Sequence, residues 1–240
     1  MMQRFLFGLG LLVAACAPAL AVDFSGWSVL VVAGDNHAHS GAHSKVFDNA
    51  RHDLVRAFTT IGFSSANVVQ FSLDPDPAAQ PTDFSAIASS LWDLSSRAPA
   101  GCLIYFTSHG TPGGIIVSDR VVDADKMAAM VNNSCGSKPS VIVMSSCFSG
   151  QFLSPLAGDN RVVITAARPD RTSFGCGESN QYTFFDDCFL RALPLAGDFA
   201  LLGGKVRECV AYREEQMQAT PPSEPQVSVG KNVAATLRWK

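Results

Sequence analysis

One histidine and one cysteine each follow directly after a short apolar run, in an arrangement that suits nucleophilic catalysis. His109 comes after Cys102–Phe106, and Cys147 comes after Val141–Met144. A cysteine attacks a carbonyl carbon only as its thiolate, so a catalytic cysteine needs a nearby histidine or helix dipole to hold the negative charge. Either residue alone is more often structural, and it is their paired placement after two strands that favours a function. The spacing predicts a Cys-His dyad.

The elements that would bring these residues together are the strands of a mainly parallel sheet. Short apolar runs rich in β-branched residues predict buried strands at 28–33, 67–71, 102–106, 141–144, 162–166 and 226–229. Helical spacing lies between them, at 46–61, 83–97, 123–132, 182–193 and 198–218. This alternation predicts an α/β domain with a doubly wound, mainly parallel sheet between layers of helices. Ligands bind such sheets beyond the carboxyl ends of the strands, where His109 and Cys147 fall.

The first 21 residues are typical of a secretory signal peptide. Arg4 supplies a positive charge, residues 5–15 are apolar without interruption, and Ala19-Leu20-Ala21 suits signal-peptidase cleavage before Val22. The apolar run is shorter than the roughly 20 residues of a membrane span. We therefore expect an exported protein without a membrane span, whose mature domain comprises residues 22–240.

A second processing route is also open. The run Val13-Ala14-Ala15-Cys16 resembles a lipoprotein box, which would attach a lipid anchor to Cys16. Cleavage before Val22 is favoured, because the first strand begins so soon that a lipid anchor would have almost no tether. Both routes take the chain out of the cytoplasm.

The composition excludes several classes of protein. With 47% hydrophobic and only 16% charged residues among 240, the chain can bury a core and is not intrinsically disordered. A formal net charge of −3 and the lack of any run of Lys or Arg give no electrostatic footprint for nucleic acid or for an anionic membrane surface. Neither is expected as a partner.

Two blocks of sequence carry the candidate dyad: Tyr105-Phe106-Thr107-Ser108-His109-Gly110 and Ser145-Ser146-Cys147-Phe148-Ser149-Gly150. They resemble the caspase-fold cysteine peptidases, and most closely the legumain-like family, peptidase family C13. The resemblance extends from Val29 to about Val229. It implies a caspase-like sheet and a cysteine endopeptidase that cleaves a peptide or protein substrate without a cofactor. His109 would be the general base and acid, Cys147 the nucleophile that forms a thioester, and Gly110 and Cys147 the donors of oxyanion N–H groups.

The same resemblance implies further site residues and also shows departures. Asn36 matches a position that orients the histidine, and Ser173 and Asp187 match positions that line the pocket for the substrate side chain before the scissile bond. Legumain-like enzymes that prefer Asn carry an Arg-His pair that the segment 43–46 lacks in register, and Phe148 stands where legumain has an acid. A preference for Asn or Asp is therefore not indicated. Candidates for a positive pocket floor are Arg168, Arg171 and Lys45.

Two alternative functions compete with the peptidase. His37, His39 and His43 lie within seven residues beyond the first strand, and in an exported protein such a loop can bind zinc or copper. No Cys-x-x-Cys pair or acidic partner at ligand spacing accompanies them, which disfavours a metal site. The other alternative is a catalytically silent caspase-fold binding module, against which the presence of both His109 and Cys147 argues.

The seven cysteines sort into groups. Cys16 belongs to the leader, and Cys147 must remain a free thiol to act as nucleophile. Cys102 and Cys135 precede adjacent parallel strands, at the edge opposite the chemistry, and are the favoured disulfide pair. Among Cys176, Cys188 and Cys209, one further bridge that uses Cys188 is expected, with one thiol left free.

Overall fold

The computed structural model describes residues 21–239. The expected signal peptide, with Cys16, lies outside the described residues except for Ala21. The strands are β1 (Trp27–Ala33), β2 (Val68–Ser72), β3 (Gln80–Pro81), β4 (Gly101–Thr107), β5 (Gly110–Thr111), β6 (Gly114–Val117), β7 (Arg120–Val122), β8 (Ser140–Ser145), β9 (Arg161–Thr165) and β10 (Gln226–Val229). The helices are α1 (Val46–Thr60), α2 (Phe84–Arg97), α3 (Ala124–Cys135), α4 (Leu153–Leu156), α5 (Phe184–Ala196) and α6 (Phe199–Gln216).

A seven-stranded sheet in the order β10-β9-β8-β4-β1-β2-β3 forms the centre of the fold. Its strands pair in parallel, except that β10 runs antiparallel to β9 at one edge. The predicted doubly wound, mainly parallel sheet is confirmed. A small antiparallel sheet of β5, β6 and β7 follows β4 and was not predicted beyond a turn. Its strands have two to four residues, too few for a periodic pattern to show.

Successive side chains of a strand point to opposite faces of the sheet, and both faces of this sheet are apolar. On β4, Leu103 and Tyr105 join the cluster beneath α1, α5 and α6, whereas Ile104 and Phe106 join the cluster beneath α2 and α3. Every residue of β4 is buried, as expected for a central strand covered on both sides. The result is the predicted three-layer arrangement, with both ends of the central strands left for the loops. No helix within residues 21–239 is long and apolar enough to cross a membrane.

Two disulfides join a strand to a helix and one helix to another. Cys102 at the start of β4 is bonded to Cys135 at the end of α3, with their Cα atoms 6.2 Å apart. Cys188 of α5 is bonded to Cys209 of α6. Cys147 and Cys176 are free thiols. The cross-links therefore lie away from the strand end that carries Cys147, which keeps a reduced sulfur.

Candidate active site

Cys147 lies in a sharp turn immediately after β8. The strand ends at Ser145, and Phe148 adopts a left-handed conformation with φ of 57° before a short 3₁₀ helix begins at Ser149. A left-handed φ is uncommon for a bulky residue and reverses the chain abruptly. The Phe148 N–H donates to the carbonyl oxygen of Arg171 at 2.7 Å, which fixes the turn. Cys147 is left half-buried at the wall of a cleft.

The neighbouring strand brings His109 to the same place. In the parallel pairing of β4 with β8, Thr107 lies opposite Ser145, so His109 and Cys147 each follow two residues beyond matched positions. Gly110 lies directly against the turn, because a Cβ atom added there would stand 2.1 Å from the carbonyl oxygen of Cys147. Only glycine permits this approach. The arrangement places the backbones of both residues expected to hold an oxyanion side by side.

The ring of His109 is held from two sides. Its Nε2 lies 2.9 Å from the carbonyl oxygen of His37, and the ring of Phe47 meets it edge to face at 5.1 Å between centroids. A carbonyl oxygen only accepts, so Nε2 carries the proton of the neutral ring and Nδ1 keeps the free lone pair. The family resemblance implies an orienting role for Asn36, but its side chain donates to Asp74 at 3.1 Å. The hydrogen bond to His109 is made by the main-chain carbonyl of the next residue, His37.

Ser173 approaches the sulfur of Cys147 from the opposite wall. Its backbone N–H donates to Sγ at 3.2 Å, and its hydroxyl oxygen lies 3.6 Å from the same sulfur. The carbonyl oxygen of Ser173 lies 3.6 Å from Sγ as well, so both main-chain polar groups of this residue face the sulfur. Ser173 therefore lines the cleft and contacts the candidate nucleophile directly.

The cleft has a volume of about 650 Å³. It is bounded by residues from the loop after β1, the ends of β4 and β8, the loop after β9, the start of α5 and the residues just after α6: His39, His109, Gly110, Cys147, Phe148, Thr172, Ser173, Phe174, Gly175, Cys176, Gly177, Asn180, Phe184, Met217 and Ala219. The aromatic residues and Met217 were not among the predicted site residues. Their signal in the sequence is only that of ordinary apolar residues, so pattern alone does not separate them from the core.

Asp187 does not line this cleft, which corrects the expectation for it. Its carboxylate accepts from Arg191 at 3.0 Å and pairs with Arg213 of α6, on the outer side of α5. Its neighbour Asp186 points inward instead and is fully buried. One helical residue turns a side chain by about 100°, so adjacent acids on a helix face different surroundings.

Asp186 joins the elements that carry the candidate dyad. It accepts hydrogen bonds from the hydroxyl groups of Tyr105 at 2.7 Å and Thr107 at 2.6 Å, both on β4. Burial raises the pKa of this carboxyl, and the hydrogen bonds oppose that rise. Thr107 lies two residues before His109. Asp186 therefore anchors the end of β4 to α5, a role that sequence reasoning missed.

The three histidines of the loop after β1 do not converge. His37 Nδ1 lies 2.7 Å from Asp35, and His43 Nε2 lies 2.7 Å from Asp74, so each ring has its own carboxylate. His39 lines the cleft near Cys147. Within residues 21–239, no three His, Cys, Asp or Glu side chains are grouped so that they would hold a metal ion. The geometry gives no support to the metal-binding alternative.

The candidate positive groups for the pocket floor are also elsewhere. Arg168 pairs with Asp170 at 3.0 Å and with Glu224 at 3.3 Å, and Arg171 pairs with Asp170 at 3.4 Å. Neither arginine lines the cleft, and Lys45 lies at the exposed start of α1. The charged side chains of the loop after β9 thus pair with other charged residues, and its uncharged residues line the cleft beside Cys147.

Cys176 is the other free thiol of the described chain and lines the same cleft. Burial raises the pKa of its thiol, and the charge of Cys147 raises it further. Near neutral pH, a smaller fraction of Cys176 than of an ordinary exposed cysteine is therefore present as the reactive thiolate. The two sulfurs share a cleft but have different surroundings, since only Cys147 receives the Ser173 N–H.

Comparison with known proteins supports the sequence resemblance. The family model described as the peptidase C13 family matches residues 80–194, which include His109, Cys147 and Ser173. The structure is similar to the crystal structure of caspase-1 from Spodoptera frugiperda, with a TM-score of 0.64 and 16% identity, over 90% of this chain and 92% of that chain. A search of the curated proteins found no match. The caspase-like fold expected from the sequence is confirmed.

Proposed function

We propose that this protein, a caspase-fold chain of the peptidase C13 family over residues 80–194, is an exported endopeptidase that cleaves peptide bonds with Cys147 and His109. The family and the fold are those of cysteine peptidases. The observation that carries the proposal is the matched position of the two residues beyond β8 and β4, against one cleft. Peptide or protein segments are the substrate class.

Formation of the acyl-enzyme begins at the sulfur. His109 takes the proton of the Cys147 thiol. The resulting thiolate, which accepts the Ser173 N–H, attacks the carbonyl carbon of the scissile bond, and the electron pair of the C=O bond moves to oxygen. Backbone N–H groups of Gly110 and Cys147 are proposed to stabilise that oxyanion. The C–N bond then breaks, the amine takes a proton from His109, and a thioester to Cys147 remains.

Hydrolysis of the thioester uses the same groups in reverse. His109 takes a proton from water, the resulting hydroxide adds to the thioester carbon, and the C–S bond breaks to release the acid and the thiolate. The bond from Nε2 to the His37 carbonyl leaves Nδ1 as the nitrogen that exchanges these protons. Phe47 against the ring limits its rotation, so the same nitrogen serves both steps.

We attribute export to the leader-like sequence of residues 1–21, and the two disulfides support it because such bonds persist in oxidising compartments. Intact-mass measurement of the protein produced from its full sequence tests this. We expect a chain that begins at Val22 with four cysteines oxidised. A chain that retains Met1 and reduced Cys102 and Cys135 would contradict export, whereas a heavier chain that begins at a lipidated Cys16 would favour the anchored route.

Site-specific labelling tests the catalytic assignment. A thiol-directed peptide electrophile is expected to modify Cys147 with one-to-one stoichiometry and to remove peptidase activity in proportion. Cys176 is the internal comparison, and it should react much more slowly because the pKa of its thiol is raised. Peptide mapping by mass spectrometry reads both sites in one sample.

Denatured protein supplies the control for this labelling. Without the fold, the two thiols lose their different surroundings and should react at similar rates. Activity that survives complete modification of Cys147, or faster modification of Cys176 in the folded protein, would contradict the assignment.

A further inference from the structure

The cleft beside Cys147 contains no charged partner for a charged substrate side chain. Of the residues that line it in the described chain, none is Asp, Glu, Lys or Arg, and the two histidines there are His39 and His109. His109 is committed to the proposed chemistry, and His39 is exposed to solvent. A charged side chain that enters such a cleft would lose water without gaining an ion pair, which is unfavourable.

An apolar wall begins directly beside the sulfur. Phe174 follows Ser173, whose N–H contacts Sγ of Cys147, and the rings of Phe174 and Phe184 lie 6.3 Å apart between centroids. The Phe184 N–H donates to the carbonyl oxygen of Phe174 at 2.9 Å, so the two residues are fixed relative to each other. The wall is thus held at a set position from the candidate nucleophile.

Gly175 permits this close packing of the wall. Its φ is 96°, and a Cβ atom there would stand 2.7 Å from Cδ1 of Phe184. A residue with a side chain would therefore strain the backbone and displace the ring. Met217 and Ala219, just after α6, extend the apolar surface of the cleft, and Met217 is 64% exposed. An unbranched thioether in such a position adapts to side chains of different shapes.

One cation, that of Arg213, packs against the ring of Phe184. The guanidinium of Arg213 lies 4.5 Å from the centroid of the Phe184 ring and is paired with Asp187. Arg213 does not line the cleft. The positive charge of Arg213 is therefore balanced by the Asp187 carboxylate and the face of the Phe184 ring, and is not available to an acidic substrate residue in the cleft.

We infer that the cleft accepts an apolar side chain, such as that of Leu, Met or Phe, at the substrate residue that precedes the scissile bond. This inference rests on the proposed function and adds the substrate class to it. Phe174, Phe184 and Met217 are the residues that determine the preference. Burial of an apolar side chain against them is favourable, whereas an Asp or Lys side chain finds no ion-pair partner there and the amide of Asn exchanges water for an apolar wall.

A matched series of peptide electrophiles tests the preference without requiring turnover. The probes differ only in the residue before the reactive carbonyl, which is Leu, Phe, Asn, Asp or Lys, and the rate of Cys147 modification is followed by mass spectrometry. We expect the Leu and Phe probes to react roughly 10- to 100-fold faster than the Asn, Asp and Lys probes. An Asn or Asp probe that reacts as fast as the Leu probe would overturn the inference.

A surface substitution tests the wall itself. Met217→Glu adds a carboxylate at an exposed position of the cleft, so it should slow the Leu probe about tenfold and accelerate the Lys probe. Tyr212→Glu is the matched control, because Tyr212 is 66% exposed on α6, shortly before Met217, but does not line the cleft. Unchanged selectivity of Met217→Glu would contradict the assignment of Met217 to the pocket.

The outcomes separate this inference from the proposed function. Cys147-dependent reaction with the Asn or Asp probe at the highest rate would leave the peptidase proposal standing and reject the apolar pocket. Folded protein in which no peptide probe modifies Cys147 would reject the proposed function, and the inference with it.

Discussion

Cys147→Ala is expected to lower kcat for peptide hydrolysis by about 10⁴-fold or more, to the background of the assay. Alanine removes the sulfur and leaves no group that can form the thioester. The turn should persist, because it is fixed by the Phe148 N–H to the Arg171 carbonyl and not by the side chain of Cys147. Loss of activity should therefore occur without loss of structure.

The measurement combines a peptidase assay with thermal unfolding of the same preparations. The variant should unfold at a temperature close to that of the wild type and should take up no peptide electrophile at position 147. Hydrolysis at a rate comparable to that of the wild type would show that another residue carries the reaction. A variant that unfolds at a much lower temperature would need Cys147→Ser as a second test, since serine keeps the shape of the side chain but is a far weaker nucleophile.

His109→Ala is expected to lower kcat by about 10²- to 10⁴-fold, because the base and acid of both steps is removed. The rate at which a small electrophile alkylates Cys147 at neutral pH should fall as well. A purely structural histidine would not change that rate selectively. The two readouts together therefore separate a proton-transfer role from a packing role.

His43→Ala is the matched control for this variant. His43 is exposed, pairs with Asp74, and does not line the cleft, so its loss should leave both the turnover and the alkylation rate near those of the wild type. Equal loss in the two variants would indicate a general effect of removing a histidine from this end of the sheet. Undiminished alkylation in His109→Ala would contradict its role as the base.

The principal strands and the placement of the candidate dyad were accessible from sequence because both depend on long-range burial. The ends of the predicted strands 102–106 and 141–144 lie within two residues of those of β4 and β8. A strand covered by helices on both faces is apolar along its whole length, which makes it easy to recognise. Once two such strands are neighbours, the residues just beyond them meet. The small sheet after β4 was missed because its three strands have only two to four residues each, too few for a periodic pattern to show.

The error at Asp187 concerns the orientation of its side chain. Asp186 and Asp187 are adjacent acids, and the start of α5 at Phe184 decides which one faces the core. A shift of one residue in the helix start would exchange their roles, and sequence patterns locate helix ends less closely than that. The partner of His109 was missed for another reason. A main-chain carbonyl, here that of His37, is present at every position and leaves no trace in residue type.

The contact between Gly110 and Cys147 gives a means of sorting related sequences. A Cβ atom at position 110 would overlap the carbonyl oxygen of Cys147 itself. A side chain at position 110 is therefore incompatible with this turn. A relative that keeps the histidine and the cysteine but replaces this glycine must have rebuilt the end of one strand. Such a chain is expected to retain the fold and to have lost the chemistry, and a single letter after the histidine is enough to identify it.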